Sequence, residues 1–288
     1  MNRVRPLRSA LYMPAANERA LEKAKSLPAD AVIFDLEDAV APDAKETARS
    51  AACAAAASGQ YGRRELTIRC NGLDTPWGHD DLAAIAVSTA SAVVVPKVSS
   101  VDYLDEVATY LDQAGAPPSL TVWAMVETPT AIFDVRALAA HPRVSVLVMG
   151  TNDLARELRL PLVAGRRALL PHLATALLAA RESGKTILDG VYNDVRDPDG
   201  FAEECAQGVE FGFDGKTLIH PTQVDIANQV WAPSATDIDL ARRVIDAFDE
   251  AVANGRGVVT VDGRMIENLH VVNAQRTLAI AEAIDALG

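Results

Sequence analysis

The chemistry-bearing residues of this chain stand at the ends of short apolar runs. Asp35-Leu36-Glu37-Asp38, Arg69-Cys70-Asn71, Pro96-Lys97, Glu127-Thr128, Asn152-Asp153, Asp189 and His220-Pro221 each follow such a run. Carboxylates and cations gathered in this way describe a hard-cation site flanked by anion-binding groups. Oxygen ligands suit Mg²⁺ and Mn²⁺, whereas Arg and Lys pair with carboxylate or phosphate. Glu127 and Asp153 are the metal candidates, since each follows a long apolar run with no adjacent cation to neutralise it. The competing reading is that each merely caps the next helix, Glu127 before residues 130–140 and Asp153 before a short one.

Arg69 can clamp a substrate carboxylate or hold a developing enolate oxygen, or it can pair with a strand-end acid such as Glu37. Lys97 suits a Schiff base or simple charge balance, and a site that already holds a metal favours balance. Asp35, Glu37 and Asp38 crowd three carboxylates into four residues. Strand alternation puts Asp35 and Glu37 on one side and Asp38 near the rim, either as a solvated acidic turn or as support for Arg69 and metal-bound water. His220 precedes proline and fits a turn as well as catalysis. His79, His141, His172 and His270 lack metal-ligand spacing and receive no role.

These residues need elements to position them. Eight β-branched runs are expected as strands: Ser9–Met13, Ala31–Leu36, Leu66–Cys70, Ala92–Pro96, Thr121–Val126, Ser145–Met149, Thr186–Gly190 and Phe213–Ile219. Alanine- and leucine-rich stretches of helical spacing lie between them, the pattern of parallel strands joined by crossover helices. Asn17 opens a helix to about Leu27, Pro42-Asp43 opens 44–57, Ser100 precedes 101–113, and Pro129 sits at the first turn of 130–140. The alternation predicts a (β/α)₈ TIM barrel rather than an open doubly wound sheet, and no G-x-G-x-x-G follows the first strand. No internal repeat or low-complexity linker is present.

The barrel is expected over residues 1–233, with a C-terminal hairpin-helix lid extension over 234–288. There, helices at 221–230 and 234–253, a break at Gly255-Arg256-Gly257, a hairpin over 258–267 turning at Asp262-Gly263, and a helix over 271–286 follow in order. Such a tail is too small for its own core and must pack on the barrel or on a neighbouring subunit.

A net charge of −12 argues against a nucleic-acid partner, which needs a broad basic face. The opening stretch carries Arg3, Arg5 and Arg8 but no apolar run of signal-peptide length, and no later segment approaches a membrane span, so a cytoplasmic location is expected. Cys53, Cys70 and Cys205 are odd in number and far apart, which suits buried small hydrophobes better than disulfides or zinc.

With these motifs in this order the sequence resembles the citrate lyase β-subunit-like group of the HpcH/HpaI aldolase superfamily, which includes malyl-CoA and citramalyl-CoA lyases. The matching stretches are 8–14, 29–40, Lys45 with Arg49, 68–77, 95–97, 126–128, 149–154 and 212–223. The resemblance implies a homotrimer or hexamer, with Mg²⁺, or Mn²⁺ in its place, on Glu127 and Asp153 and the substrate oxygens completing the shell. It implies a small CoA thioester and a 2-oxo acid as the molecules handled. Arg69 would face the thioester enolate, supported by Glu37 and Asp38. CoA would run along the barrel mouth by Arg8, Arg19, Lys25 and the Ile219-His220-Pro221 turn. Members with the C-terminal extension carry a catalytic aspartate where this chain has Glu267, one methylene longer, and deliver it to the neighbouring subunit's site. The implied reaction is reversible Claisen cleavage of a 3-hydroxyacyl-CoA to acetyl-CoA and pyruvate or glyoxylate. Malyl-CoA hydrolysis, a CoA-independent aldolase of 4-hydroxy-2-oxo acids, against which the C-terminal lid and the acidic 35–38 motif speak, and a citryl-carrier lyase subunit are the alternatives.

Overall fold

All eight apolar runs form parallel strands: β1 (Ser9–Pro14), β2 (Ala31–Asp35), β3 (Glu65–Arg69), β4 (Ala92–Val95), β5 (Thr121–Val126), β6 (Val144–Met149), β7 (Thr186–Asp189) and β8 (Gly215–Leu218). A computed structural model describes residues 5–287, so Arg3 lies outside it. The strands pair in sequence order, and β1 closes on β8 to complete the barrel. Helices α1 (Glu18–Ala24), α2 (Lys45–Ala57), α3 (Gly78–Ala86), α4 (Val101–Gln113), α5 (Pro129–Ala140), α6 (Thr151–Glu157), α7 (Leu170–Glu182) and α8 (Pro198–Phe211) make the crossovers.

The local chemistry explains where these elements begin and end. Asn17, Ser100 and Thr128 each accept a backbone N–H in the first turn of α1, α4 and α5, satisfying a donor that has no partner inside the helix. Helix α1 ends at Ala24 rather than at Leu27, because its last residues tighten to bonds three residues back before Pro28. Strand β4 stops at Val95, since Pro96 has no N–H to donate and Lys97 turns left-handed at φ +49°.

Along each strand, alternate side chains fill the barrel interior. Ala10, Ile33, Val94, Trp123, Val148 and Leu188 pack there in contact with one another. The same alternation, continued to the strand ends, decides which polar residues face inward.

The chain divides into two compact units, one over Leu7–Val230 and one made chiefly of Trp231 onward. The second contains α10 (Ala235–Ala253), the hairpin β9 (Val259–Val261) and β10 (Arg264–Ile266), and α11 (Asn268–Asp285); α9 (Val224–Trp231) precedes it. Asp262 and Gly263 adopt φ of +47° and +77°, the two left-handed positions of a tight hairpin turn. The expectation that this tail has no core of its own is corrected here. Ala241, Val244, Phe248, Ile266, Val271 and Ala274 are buried together, because α10 and α11 present apolar faces to each other and Ile266 of β10 packs into the same cluster. The last helix begins at Asn268 rather than Val271, since His270 Nδ1 accepts the Glu267 N–H and caps an earlier start. No described helix is long and apolar enough to cross a membrane.

Candidate active site

The C-terminal ends of the barrel strands open on a cavity of about 340 Å³. Tyr12, Asp35, Arg69, Glu127, Asp153 and Thr217 are among the residues lining it. In this architecture the C-terminal face is where substrate sites lie.

Asp35 and Arg69 are paired neighbours on β2 and β3, in phase with inward-facing Ile33. Arg69 Nε and one terminal nitrogen lie 2.6 Å from the two oxygens of Asp35. Its other terminal nitrogen is 2.6 Å from Glu37 and 3.4 Å from Asp38. The guanidinium carbon stands 4.9 Å from the Tyr12 ring centroid, a cation–π seat. Burial alone would make Arg69 easier to deprotonate, but the Asp35 charge and its two hydrogen bonds outweigh that, so the cation is held firmly. Burial raises the Glu37 carboxyl, and the Arg69 charge partly opposes it. Asp38 stays on the rim, with two thirds of its side chain exposed. The result is a rigid cation backed by carboxylates.

Behind this pair lies a support that sequence reasoning overlooked. Buried Lys45 donates 2.7 Å hydrogen bonds to the Leu36 and Glu37 carbonyls and to Asn71 Oδ1. Asn71 is fixed in turn by Asp81, and Arg49 Nε by the same carboxylate at 2.6 Å. Lys45 therefore pins the turn that carries Glu37 and Asp38. The signal in the sequence was only the presence of Lys45 and Arg49 on a helix that packs behind the turn.

Glu127 and Asp153 reach the cavity from successive strand ends. Glu127 does not cap α5, a task taken by Thr128. Instead its Oε1 accepts the Lys97 backbone N–H at 2.6 Å. Burial, with the nearby Glu37 and Asp153 carboxylates, pushes the Glu127 carboxyl up to about 7, while the Lys97 N–H and Arg69 pull the other way. Gly150 makes room for it, since a Cβ there would lie 2.3 Å from Glu127 Oε2. Asp153 sits in the first turn of α6 and pairs with Arg156 at 2.8 Å. The expectation of no adjacent cation thus fails for Asp153, because a residue three positions on shares its helix face.

The donor set fits Mg²⁺. Glu127 and Asp153 both line the cavity and offer oxygen donors only, and Mg²⁺ takes one or two carboxylates with water and substrate oxygens. Among the described residues no cluster of three His, Cys, Asp or Glu side chains forms a fuller protein cage. Lys97 is kept protonated: burial opposes this, but Glu37, Glu127 and Asp153 together outweigh it. A protonated amine is a poor nucleophile, which supports the charge-balancing role over a Schiff base.

Asp189 does not join the ring. It follows inward-facing Leu188 and so points outward, where Arg166 binds one oxygen at 2.6 Å and Lys216 the other at 2.8 Å. Thr217, not Lys216, faces the cavity from β8.

The residues expected to bind CoA do not gather in one place. Arg8 precedes β1 and pairs with Asp30 at 2.7 and 2.8 Å. It lies at the N-terminal end of the barrel, about 20 Å from the mouth at ~3.3 Å per strand residue, so it is removed from the phosphate candidates. Arg19 is exposed in the first turn of α1, directly after β1 leaves the mouth. Lys25 caps the far end of α1 and pairs with Glu22. Ile219 lines the cavity, whereas His220 spends Nδ1 on Thr222 before Pro221 opens a short 3₁₀ turn. Glu267 is exposed at the start of α11 in the second unit, flanked by exposed Met265 and Leu269.

Residues 8–221 match the family described as HpcH/HpaI aldolase/citrate lyase. The chain belongs to this family. A (3S)-malyl-CoA thioesterase of Cereibacter sphaeroides (strain ATCC 17025) is 52% identical over 98% of this chain and 97% of its own length. The citrate lyase β subunit of Escherichia coli K12 is 35% identical over 97% of this chain and 95% of its own. Among solved structures, the protein CitE from Mycobacterium tuberculosis, in complex with magnesium, acetoacetate and coenzyme A, superposes with a TM-score of 0.77 at 29% identity. That match covers 96% of this chain and 98% of the other.

Proposed function

We propose that the chain is a Mg²⁺-dependent hydrolase of malyl-CoA or a close 3-hydroxyacyl-CoA, releasing the hydroxy acid and free CoA. The observation that carries this reading is the 52% identity, through nearly the whole chain, to a (3S)-malyl-CoA thioesterase. Glu127 and Asp153 would hold Mg²⁺, or Mn²⁺ in its place, which when bound would supply orientation and charge stabilisation for the substrate oxygens. Arg69, held in one orientation by Asp35, stabilises the charge that develops on the thioester carbonyl oxygen as water adds to the carbon. The C–S bond then breaks, and sulfur leaves with the electron pair and takes up a proton. Glu267, supplied by a neighbouring subunit of a trimer or hexamer, accepts the proton of the attacking water. Arg19, at the mouth, binds a CoA phosphate.

A second reading is favoured by the 35% identity to a citrate lyase β subunit. In it Glu267 takes the proton of the 3-hydroxyl group, the C2–C3 bond breaks, and its electron pair becomes the acetyl-CoA enolate beside Arg69. Incubation of malyl-CoA with protein and Mg²⁺ in ¹⁸O-labelled water, followed by mass spectrometry, separates the two. Free CoA with labelled malate supports hydrolysis, whereas acetyl-CoA with glyoxylate replaces it by cleavage. Inertness towards free thioesters, with stable co-purification of an acyl carrier protein, would assign the chain to a citrate lyase complex.

A further inference from the structure

We propose that Lys97 is a positioning residue for Glu127, and that it acts through its backbone rather than its ammonium group. The inference rests on reading Glu127 as a cation ligand. Among the described residues only Lys97, Arg159, Arg166 and Asp262 are non-glycine with positive φ. Asp262 belongs to the hairpin turn, and Arg159 follows the end of α6, both places where a left-handed residue is ordinary. Lys97 instead closes a barrel strand at the cavity, with φ +49°. A left-handed conformation costs an L-residue free energy, and such strain persists where the surrounding contacts require it.

The contact at stake is the 2.6 Å hydrogen bond from the Lys97 N–H to Glu127 Oε1, the only one Glu127 makes among the described residues. The left-handed turn takes the chain out of the sheet directly after β4 and leaves that amide donating to the carboxylate. With Oε1 occupied, Oε2 lies on the Gly150 side, where the missing Cβ leaves space. One oxygen is thus fixed by the protein and the other remains for a cation, the arrangement that orients a metal-ligating carboxylate. The ammonium group contributes less: half of the Lys97 side chain is exposed, and its Nζ stands 3.5 Å from Glu37, which Arg69 already holds at 2.6 Å.

The test uses the full chain and Mn²⁺ alone, titrated by electron paramagnetic resonance without substrate. Lys97→Asn, Lys97→Gly and Lys97→Val all remove the ammonium, but asparagine and glycine tolerate positive φ and valine does not. The expected result is Mn²⁺ affinity within about 3-fold of the parent for the Asn and Gly variants, and a loss of roughly 10-fold or more for Val. Equal affinity in the parent and all three variants overturns the positioning role. Equal loss in all three assigns the role to the ammonium and overturns the backbone argument. Should the valine variant fail to fold by circular dichroism, Lys97→Ala, which is also strained at positive φ, takes its place: Mn²⁺ affinity equal to that of the Gly variant overturns the positioning role. If the parent binds Mn²⁺ no better than Glu127→Ala, the cation reading of Glu127 falls first and takes this inference with it.

Discussion

Replacing Asp35 by asparagine keeps the shape of the side chain and removes only its charge and one acceptor oxygen. In the native protein that carboxylate takes two 2.6 Å hydrogen bonds from Arg69 and two more from the backbone N–H groups of Glu37 and Ala39, at 2.9 and 3.2 Å. The Asp35 side chain is 2% exposed and that of Arg69 10%, so the pair is screened by little water. Removing one partner of a buried pair costs about 3–5 kcal/mol, mostly because the remaining charge is left uncompensated. Glu37 stays on Arg69 at 2.6 Å, which places the expected loss near the lower end, at about 3 kcal/mol. For a chain of this size that is a fall in Tm of roughly 6–12 °C, read by calorimetry in chelated buffer. Arg69 also loses its fixed orientation, and a displacement near 1 Å lowers kcat by about 10²-fold. A variant that melts within about 2 °C of the parent and turns over normally would show that Asp35 does not hold Arg69 in place.

Gly150→Ala should weaken Mg²⁺ binding and activity at least 10-fold, because its Cβ would stand 2.4 Å from Glu127 Cβ, an atom too close to the backbone to swing away; undiminished Mg²⁺ affinity by calorimetry would refute this. In chelated protein, Glu127 binds its proton more tightly folded, at about 7, than at the ordinary 4.5. Its contribution to stability is therefore complete below pH 4.5 and lost as pH rises through about 7, on the order of 3 kcal/mol, and Glu127→Gln should lack that slope in urea unfolding across this range. Mixed oligomers of Glu267→Ala and Glu127→Ala protomers, each inactive alone, should regain activity at sites pairing an intact barrel with an intact neighbouring Glu267. If subunit exchange is shown by native mass spectrometry and the mixtures stay inactive, delivery of Glu267 between subunits is wrong.

The barrel was legible because its signals are local. Thr121–Val126 has the same bounds in the sequence reading and in the structure, and Asn17, Ser100 and Ser234 are polar caps set directly before helical spacing. Which strand-end residue turns inward was not legible from local apolarity, since Ala31, Val32, Ile33 and Phe34 before Asp35 are all apolar and all buried. Asp35 and Arg69 lie in phase with Ile33 and with each other. On β7, Ile187 and Leu188 are both apolar and both buried, so nothing local shows that Asp189 faces out. The role of Lys45, whose presence the family pattern marked, was out of reach for another reason. Its three hydrogen bonds go to residues 8, 9 and 26 positions away, across two different turns, and pairing of that kind leaves no periodic trace. Likewise, the small core between α10 and α11 depends on two helices meeting face to face, and a count of tail residues alone does not register it.

The choice between hydrolysis and carbon–carbon cleavage turns on the base rather than on the barrel. Both reactions place negative charge on the thioester carbonyl oxygen, in one case as water adds to the carbon and in the other as the enolate forms. A fixed guanidinium at that oxygen serves either, so the Arg69 network does not discriminate between them. The reactions differ in which proton is removed: that of a water aimed at the thioester carbon, or that of the 3-hydroxyl group. Under the proposed mechanism, the Glu267 carboxylate is therefore the group whose placement selects the product. If Glu267→Asp moves the carboxylate back by one methylene, the ratio of acetyl-CoA to free CoA released from malyl-CoA should change while the parent Mg²⁺ affinity holds. A ratio unaltered by that variant would return the choice of reaction to the barrel residues.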